Sequence, residues 1–233
     1  MTHNIFGQPV LGNVVWVQPE PIVHIPQINI LPTPQVHIVP APQVNLAEAF
    51  KPVKAGKETA HVVFVLDRSC SMASIQDRTI SGFNEYLAGQ KADALSTGVK
   101  TLASLYTFDG PNVSASFELV DIHSVEPLTR ATYNPNGYAT NLLDAIGGVL
   151  IQVNNRLAKL KKAARWSVIA AVLTDGQENA SKVFTNTAIK TMVTKAEKAN
   201  WGFMFMGANI DAFAVGSTLG FGVENTIQFA AGN

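Results

Sequence analysis

The chain predicts a three-layer α/β domain: a mostly parallel central sheet with one antiparallel edge strand, helices on both faces, and an extended proline-rich arm in front. Three observations predict it. The apolar runs VVFVL (residues 62–66), WSVIAAVL (166–173) and WGFMFM (201–206) have the length and continuity of strands covered on both faces. Between them lie segments whose apolar residues recur every three or four positions, as on the inward stripe of a helix. Strand and helix alternate, which is the pattern of parallel strands joined by helical crossovers.

Composition narrows the function. The formal net charge is zero and 15% of residues are charged, so no basic field attracts nucleic acid and no basic amphipathic helix addresses a membrane surface. The single cysteine, Cys70, excludes an internal disulfide framework and fits a reducing, cytoplasmic setting. The first residues, MTHNIFGQPVLGN, lack the basic stretch and apolar core of a signal peptide, and no apolar run reaches the length of a membrane span.

Residues 1–58 form the arm. They hold nine of the twelve prolines and, as far as residue 56, only four charged side chains: Glu20, Glu48, Lys51 and Lys54. A unit repeats every eight residues: Pro26-Gln27-Ile28-Asn29-Ile30, Pro34-Gln35-Val36-His37-Ile38, Pro42-Gln43-Val44-Asn45-Leu46. Each unit alternates apolar and polar positions as a half-buried strand does, while its proline limits it to edge pairing or polyproline II. So much Ile and Val without charge is unlike a solvated linker. The expectation is an extended arm lying along a partner, a neighbouring subunit or its own domain. His24 and His37 stand there without Cys or carboxylate neighbours and read as packing residues.

Residues 59–233 form the folded domain. The strand at 62–66 ends in Asp67-x-Ser69-x-Ser71, and a helix after Met72 follows, with Ile75, Ile80, Phe83 and Leu87 on one face. Strands at about 101–108 and 113–119 flank Asp109-Gly110-Pro111-Asn112, a short turn that predicts a hairpin and hence the antiparallel edge. After the turn cluster Asn134-Pro135-Asn136-Gly137, Thr140 or Asn141 caps a helix carrying Leu143, Ile146, Leu150, Val153, Leu157 and Leu160. The strand 166–173 ends in Thr174-Asp175-Gly176, a helix spans about 185–199, a short helix opens at Asp211, and a last strand covers about 226–230.

Three oxygen-bearing side chains at alternate positions, at the carboxyl end of a central parallel strand, stand where open α/β sheets take ligands, and hard oxygen donors suit Mg²⁺ or Mn²⁺ better than Zn²⁺. Asp67-x-Ser69-x-Ser71, Thr140 ahead of a helix, and Asp175-Gly176 after a buried strand resemble, in type and order, the metal-ion-dependent adhesion site of von Willebrand factor type A (vWA) domains. The resemblance covers about residues 59–230, and the stretch 201–213 is similar to stand-alone members from bacteria and their phages. It implies a Rossmann-like vWA fold in which Ser69 and Ser71 bind the metal directly, Thr140 joins in the ligand-competent state, and Asp67 and Asp175 act through water. An open position on the ion would take an Asp or Glu carboxylate from a protein partner. Two features depart from the family pattern: Cys70 stands where glycine is usual, and the chain ends soon after the last strand, where many members carry a further helix.

Catalysis is not expected. Position 76 is Gln76 where a cysteine-phosphatase loop needs Arg, position 69 is Ser69 where a haloacid-dehalogenase-type site needs a second Asp, and no phosphate-binding glycine loop is present. The other reading is structural: an assembly component, such as a virion protein, whose arm ties subunits together and whose metal site is secondary.

Overall fold

The computed structural model describes residues 57–110, 112–160, 164–175, 178–208 and 211–229. Residues 1–56 of the proline-spaced arm, and with them the expectation of an extended partner-binding segment, lie outside the described residues, while its last two, Lys57 and Glu58, open the first strand.

Six strands form one sheet: β1 (Lys57–Asp67), β2 (Lys100–Asp109), β3 (Asn112–Asp121), β4 (Ala164–Thr174), β5 (Trp201–Ala208) and β6 (Thr226–Phe229). Their order is β3-β2-β1-β4-β5-β6. Every neighbouring pair is parallel except the β2–β3 hairpin, as the short turn after Phe108 predicts. Strand β3 runs past the expected end at residue 119 because the ladder is bulged there. The register slips around Leu105, Leu119 takes φ +54°, and its N–H donates to Ser104 Oγ at 2.9 Å instead of to a strand partner.

Alternate residues of β1 serve two cores. Val63 and Val65 face a layer built from the helices α2 (Leu142–Lys159), α3 (Asn186–Glu197) and α4 (Ala212–Leu219). Val62, Phe64 and Leu66 face α1 (Gln76–Thr97) and the connection around Ile122 to Tyr133. Phe64 meets Phe83 of α1 with ring centroids 4.5 Å apart, and burying such a ring stabilises by roughly 1.5–3 kcal/mol. β1 is covered on both sides, which is why its apolar run is unbroken.

Two helix ends differ from expectation. α1 begins at Gln76, preceded by a 3-10 stretch, Cys70–Ile75, that carries the chain from the strand end round to the helix axis. Leu160, the last apolar residue of the α2 stripe, lies beyond the helix and is 43% exposed, because the stripe rotates away from the sheet as the helix ends. Among the described residues no helix is long and apolar enough to cross a membrane.

The strand order places the site. From β1 the chain moves outward to β2 and β3, then returns to place β4 on the other side of β1. The carboxyl ends of β1 and β4 are therefore neighbours at the point where the winding reverses, with Leu66 registered against Leu173. Loops there diverge to opposite faces and leave a crevice, the usual ligand position of open α/β sheets.

Candidate metal centre

Register alone brings Asp67 beside Thr174, and the side chains complete the join: Thr174 Oγ1 donates to Asp67 Oδ2 at 2.6 Å. The other carboxylate oxygen, Oδ1, accepts from the Ser69 N–H at 2.7 Å, which folds the turn back over the strand end. Ser71 Oγ donates to Asp175 Oδ1 at 2.8 Å. Its proton being used there, Ser69 is the donor in the 3.1 Å contact between the two serine hydroxyls. Asp67, Ser69, Ser71 and Asp175 thus form one polar cluster whose ends are 108 positions apart in sequence.

These serines do not cap the helix that follows them. Ser69 precedes the 3-10 stretch without a side-chain capping bond, and the residue at the head of α1 is Ile75, which has no side-chain oxygen to cap with. Asn141, not Thr140, is the N-cap residue of α2, and it makes no side-chain capping bond either. That work is done from the loop after β4: Glu178 Oε2 accepts the Leu143 N–H at 2.9 Å and Ser181 Oγ accepts the Asp144 N–H at 3.0 Å. Asp144 reciprocates, its carboxylate accepting the N–H groups of Lys182, Val183 and Phe184.

Thr140 is held through its own N–H and carbonyl by one residue, Asn179. Its N–H donates to Asn179 Oδ1 at 2.9 Å and its carbonyl accepts the Asn179 N–H at 3.0 Å. Three residues earlier, Gly137 bridges the Asp67 turn: its N–H donates to the Arg68 carbonyl and its carbonyl accepts from the Cys70 N–H, both at 2.9 Å. A Cβ on Gly137 would sit 2.2 Å from Asp109 Cβ, so only glycine allows this approach. Thr140 is 3% exposed, and its hydroxyl makes no hydrogen bond among the described residues. Next to it, Asn141 Oδ1 is buried without a hydrogen-bond partner among the described residues. The structure joins four of the five expected residues by hydrogen bonds, while Thr140 bonds to Asn179 and lies three residues after Gly137, which bonds the Asp67 turn.

Burial sets the electrostatics. Asp67 is fully buried and its carboxyl is pushed above the ordinary range by desolvation, against the pull of Thr174 and Ser69 and with a further push from Asp175. Asp175, 8% exposed, is likewise pushed up by burial, with Ser71 pulling the other way. Burial, then the charges of Asp67 and Asp175, also push Tyr133 up; its hydroxyl donates to the Asp67 carbonyl at 2.7 Å. The nearest cation in sequence, Arg68, turns outward to the Asn134 carbonyl, Asn136 and Asp109. Two mutually repelling carboxylates and neutral hydroxyls form a cluster short of positive charge. It is closed below and open at Ser71, which is exposed. All its donors are oxygen, which fits Mg²⁺ or Mn²⁺.

Comparison with known proteins agrees on the fold. No protein-family model and no curated protein matches the sequence. Among solved structures, the pilus adhesin SpaC from Lactobacillus rhamnosus GG in an open conformation is similar at TM-score 0.52 and 11% identity, over 76% of this chain and 28% of that one. Manganese-loaded TRAP protein from Plasmodium vivax is similar at TM-score 0.50 and 15% identity, over 76% of this chain and 70% of that one. Proximal thread matrix protein 1 from the mussel byssus matches at TM-score 0.47 and 17% identity, over 76% of this chain and 43% of that one, too loose a likeness to add to the other two. The chain spans less than half the length of that byssus protein. The fold is vWA-like: six strands, five parallel in sense and one reversed, between helical layers.

The sequence reading missed the supporting residues: Thr174, Tyr133, Asn179, Glu178, Ser181 and Asp144. Thr174 carried a signal, since it precedes Asp175 at the end of a buried strand. For the others, partners lie 35 to 66 positions apart and nothing local marks them.

Proposed function

We propose that the chain is a divalent-metal-dependent protein-binding module. Ser69, Ser71 and Thr140 offer neutral hydroxyls to Mg²⁺ or Mn²⁺, and Asp67 and Asp175 supply the countercharge. When bound, the ion accepts an Asp or Glu carboxylate from a partner. Neutral donors leave the cation electrophilic, so a partner's acid is favoured as the completing ligand. The carrying observation is the Ser69–Ser71–Asp175 hydroxyl–carboxylate chain at the junction of β1 and β4, buried beneath and open above. Binding rather than turnover is the reading because, among the described residues, no hydrogen bond pairs Cys70 with a base, and His61 is buried against Ser104 on β2.

Calorimetry with Mn²⁺ and Mg²⁺ tests it. Wild type should take up one ion, and Asp175→Ala should lose it because the countercharge falls by one. Uptake of no ion by wild type at millimolar metal, or equal uptake by both proteins, would sink the reading.

A further inference from the structure

Beside the metal cluster lies a cleft of about 320 Å³ lined by the N-terminal turn of α2 (Leu142, Leu143), Glu178, Asn186 at the start of α3, and one stripe of α4: Asp211, Ala214, Val215, Thr218 and Leu219. We propose that it is a second subsite, taking a lysine or arginine side chain from the same partner segment whose acid meets the metal. This rests on the metal-dependent reading above.

Continuity with the metal cluster is the first argument. Glu178 forms the cleft wall by bonding the Leu143 N–H, and its neighbour Asn179 holds Thr140 from both sides. One loop therefore builds both places, and a short partner segment seated at one lies within reach of the other.

Charge is the second argument. Three helix N-termini converge here, which by dipole alone would favour an anion. Four of their N–H groups are already taken: Leu143 by Glu178, Asp144 by Ser181, Ala188 by Thr185 and Ala214 by Asp211. The two ionisable residues lining the cleft, Glu178 and Asp211, are both acids; Glu178 already accepts four hydrogen bonds from Leu143, Ala180 and Ser181, which leaves Asp211 as the acid that meets the incoming charge. Asp211 uses Oδ1 to cap α4, and Oδ2 makes no hydrogen bond among the described residues. Leu142, Leu143 and Leu219 form a buried apolar floor that suits the aliphatic stem of a long basic side chain, with its charge at the acidic rim. The volume is at the small end of ligand clefts, roughly 300–1,000 Å³, which suits one side chain rather than a secondary-structure element.

The test uses immobilised decapeptides, each with one Asp and one Lys separated by one to five residues. Matched peptides carry norleucine for Lys, or Asn for Asp. In Mn²⁺ the full chain should retain Asp/Lys peptides at one preferred spacing about three- to fivefold more than their norleucine partners, as a half-exposed ion pair allows. Asp211→Asn should abolish that preference while keeping the helix cap, since Asn caps as well as Asp. Ala214→Trp, which fills the cleft from an exposed position, should do the same. Absence of any Lys preference in wild type, or its persistence in Asp211→Asn, overturns the subsite. If Asp-over-Asn discrimination and chelator sensitivity remain in that case, the metal reading stands without it. Retention indifferent to both chelator and the Asp overturns both.

Discussion

Gly137→Ala probes the packing that brings Thr140 to the site. The added methyl would lie 2.2 Å from Asp109 Cβ and 3.1 Å from both the Arg68 carbonyl oxygen and Asp109 Cα. Carbon atoms rest at about 3.5–4.0 Å, so the two segments must part by about 1.5 Å. Neither side can yield cheaply, because the clash is with a Cβ and backbone rather than a flexible side-chain tip. Parting stretches the 2.9 Å bonds from Gly137 N to Arg68 O and from Cys70 N to Gly137 O beyond hydrogen-bond range. Two lost bonds at about 1 kcal/mol each, or overpacking at about 1–3 kcal/mol if they hold, give an expected loss of about 1–3 kcal/mol in urea denaturation. Thr140 moves with the loop, so Mn²⁺ affinity measured by calorimetry should fall about tenfold or more, as when a supporting residue of a metal site is removed. Gly89→Ala is the control: it lies inside α1 with nothing within 4 Å of the new methyl and should stabilise by about 0.5–1 kcal/mol. A Gly137→Ala protein as stable as wild type, binding Mn²⁺ equally, would refute the argument.

Two further outcomes follow from named contacts. Burial pushes His61 down from 6.5 to about 4, with Glu118 pulling the other way; its ring bonds Ser104 Oγ at 2.9 Å and packs edge-on to Trp166. The unfolded chain takes the proton first as pH falls, so this residue's contribution is intact above pH 6.5 and is lost between there and about pH 4. The 2.5-unit difference corresponds to about 3 kcal/mol, and denaturation across that window should show a wild-type slope that His61→Phe lacks; parallel curves would refute it. Asp144→Ala removes the acceptor of three loop N–H groups and should cost about 2–3 kcal/mol while accelerating hydrogen exchange at Lys182, Val183 and Phe184. Unchanged exchange at those amides would show that the carboxylate does not hold the loop.

Much of the fold was legible because burial leaves a linear trace. The run at 62–66 is unbroken because both faces of β1 are covered, and the stripe from Leu143 to Leu157 is spaced as it is because one face of α2 meets the sheet. Chain direction at the hairpin could be read from the length of the turn after Phe108. The bulge at Leu119 could not, because its cause is Ser104, fifteen residues back on the neighbouring strand. Nor could the exact helix starts, since loops rather than local caps satisfy the first N–H groups of α2.

For the site, residue type and strand-end position marked Asp67, Ser69, Ser71 and Asp175, because a strand end restricts where hard oxygen donors stand, while Thr140 entered only through the resemblance to vWA domains. Whether they meet was decided by strand order: β4 beside β1 brings Ser71 within hydrogen-bond reach of a carboxylate 104 positions away. Side-chain chemistry is a property of each residue and is written in the chain. Proximity between distant residues is a property of packing, and so the clasp from Asp144 and Glu178, the Gly137 bridge and the acidic cleft beside Leu142 exist only once the sheet has formed.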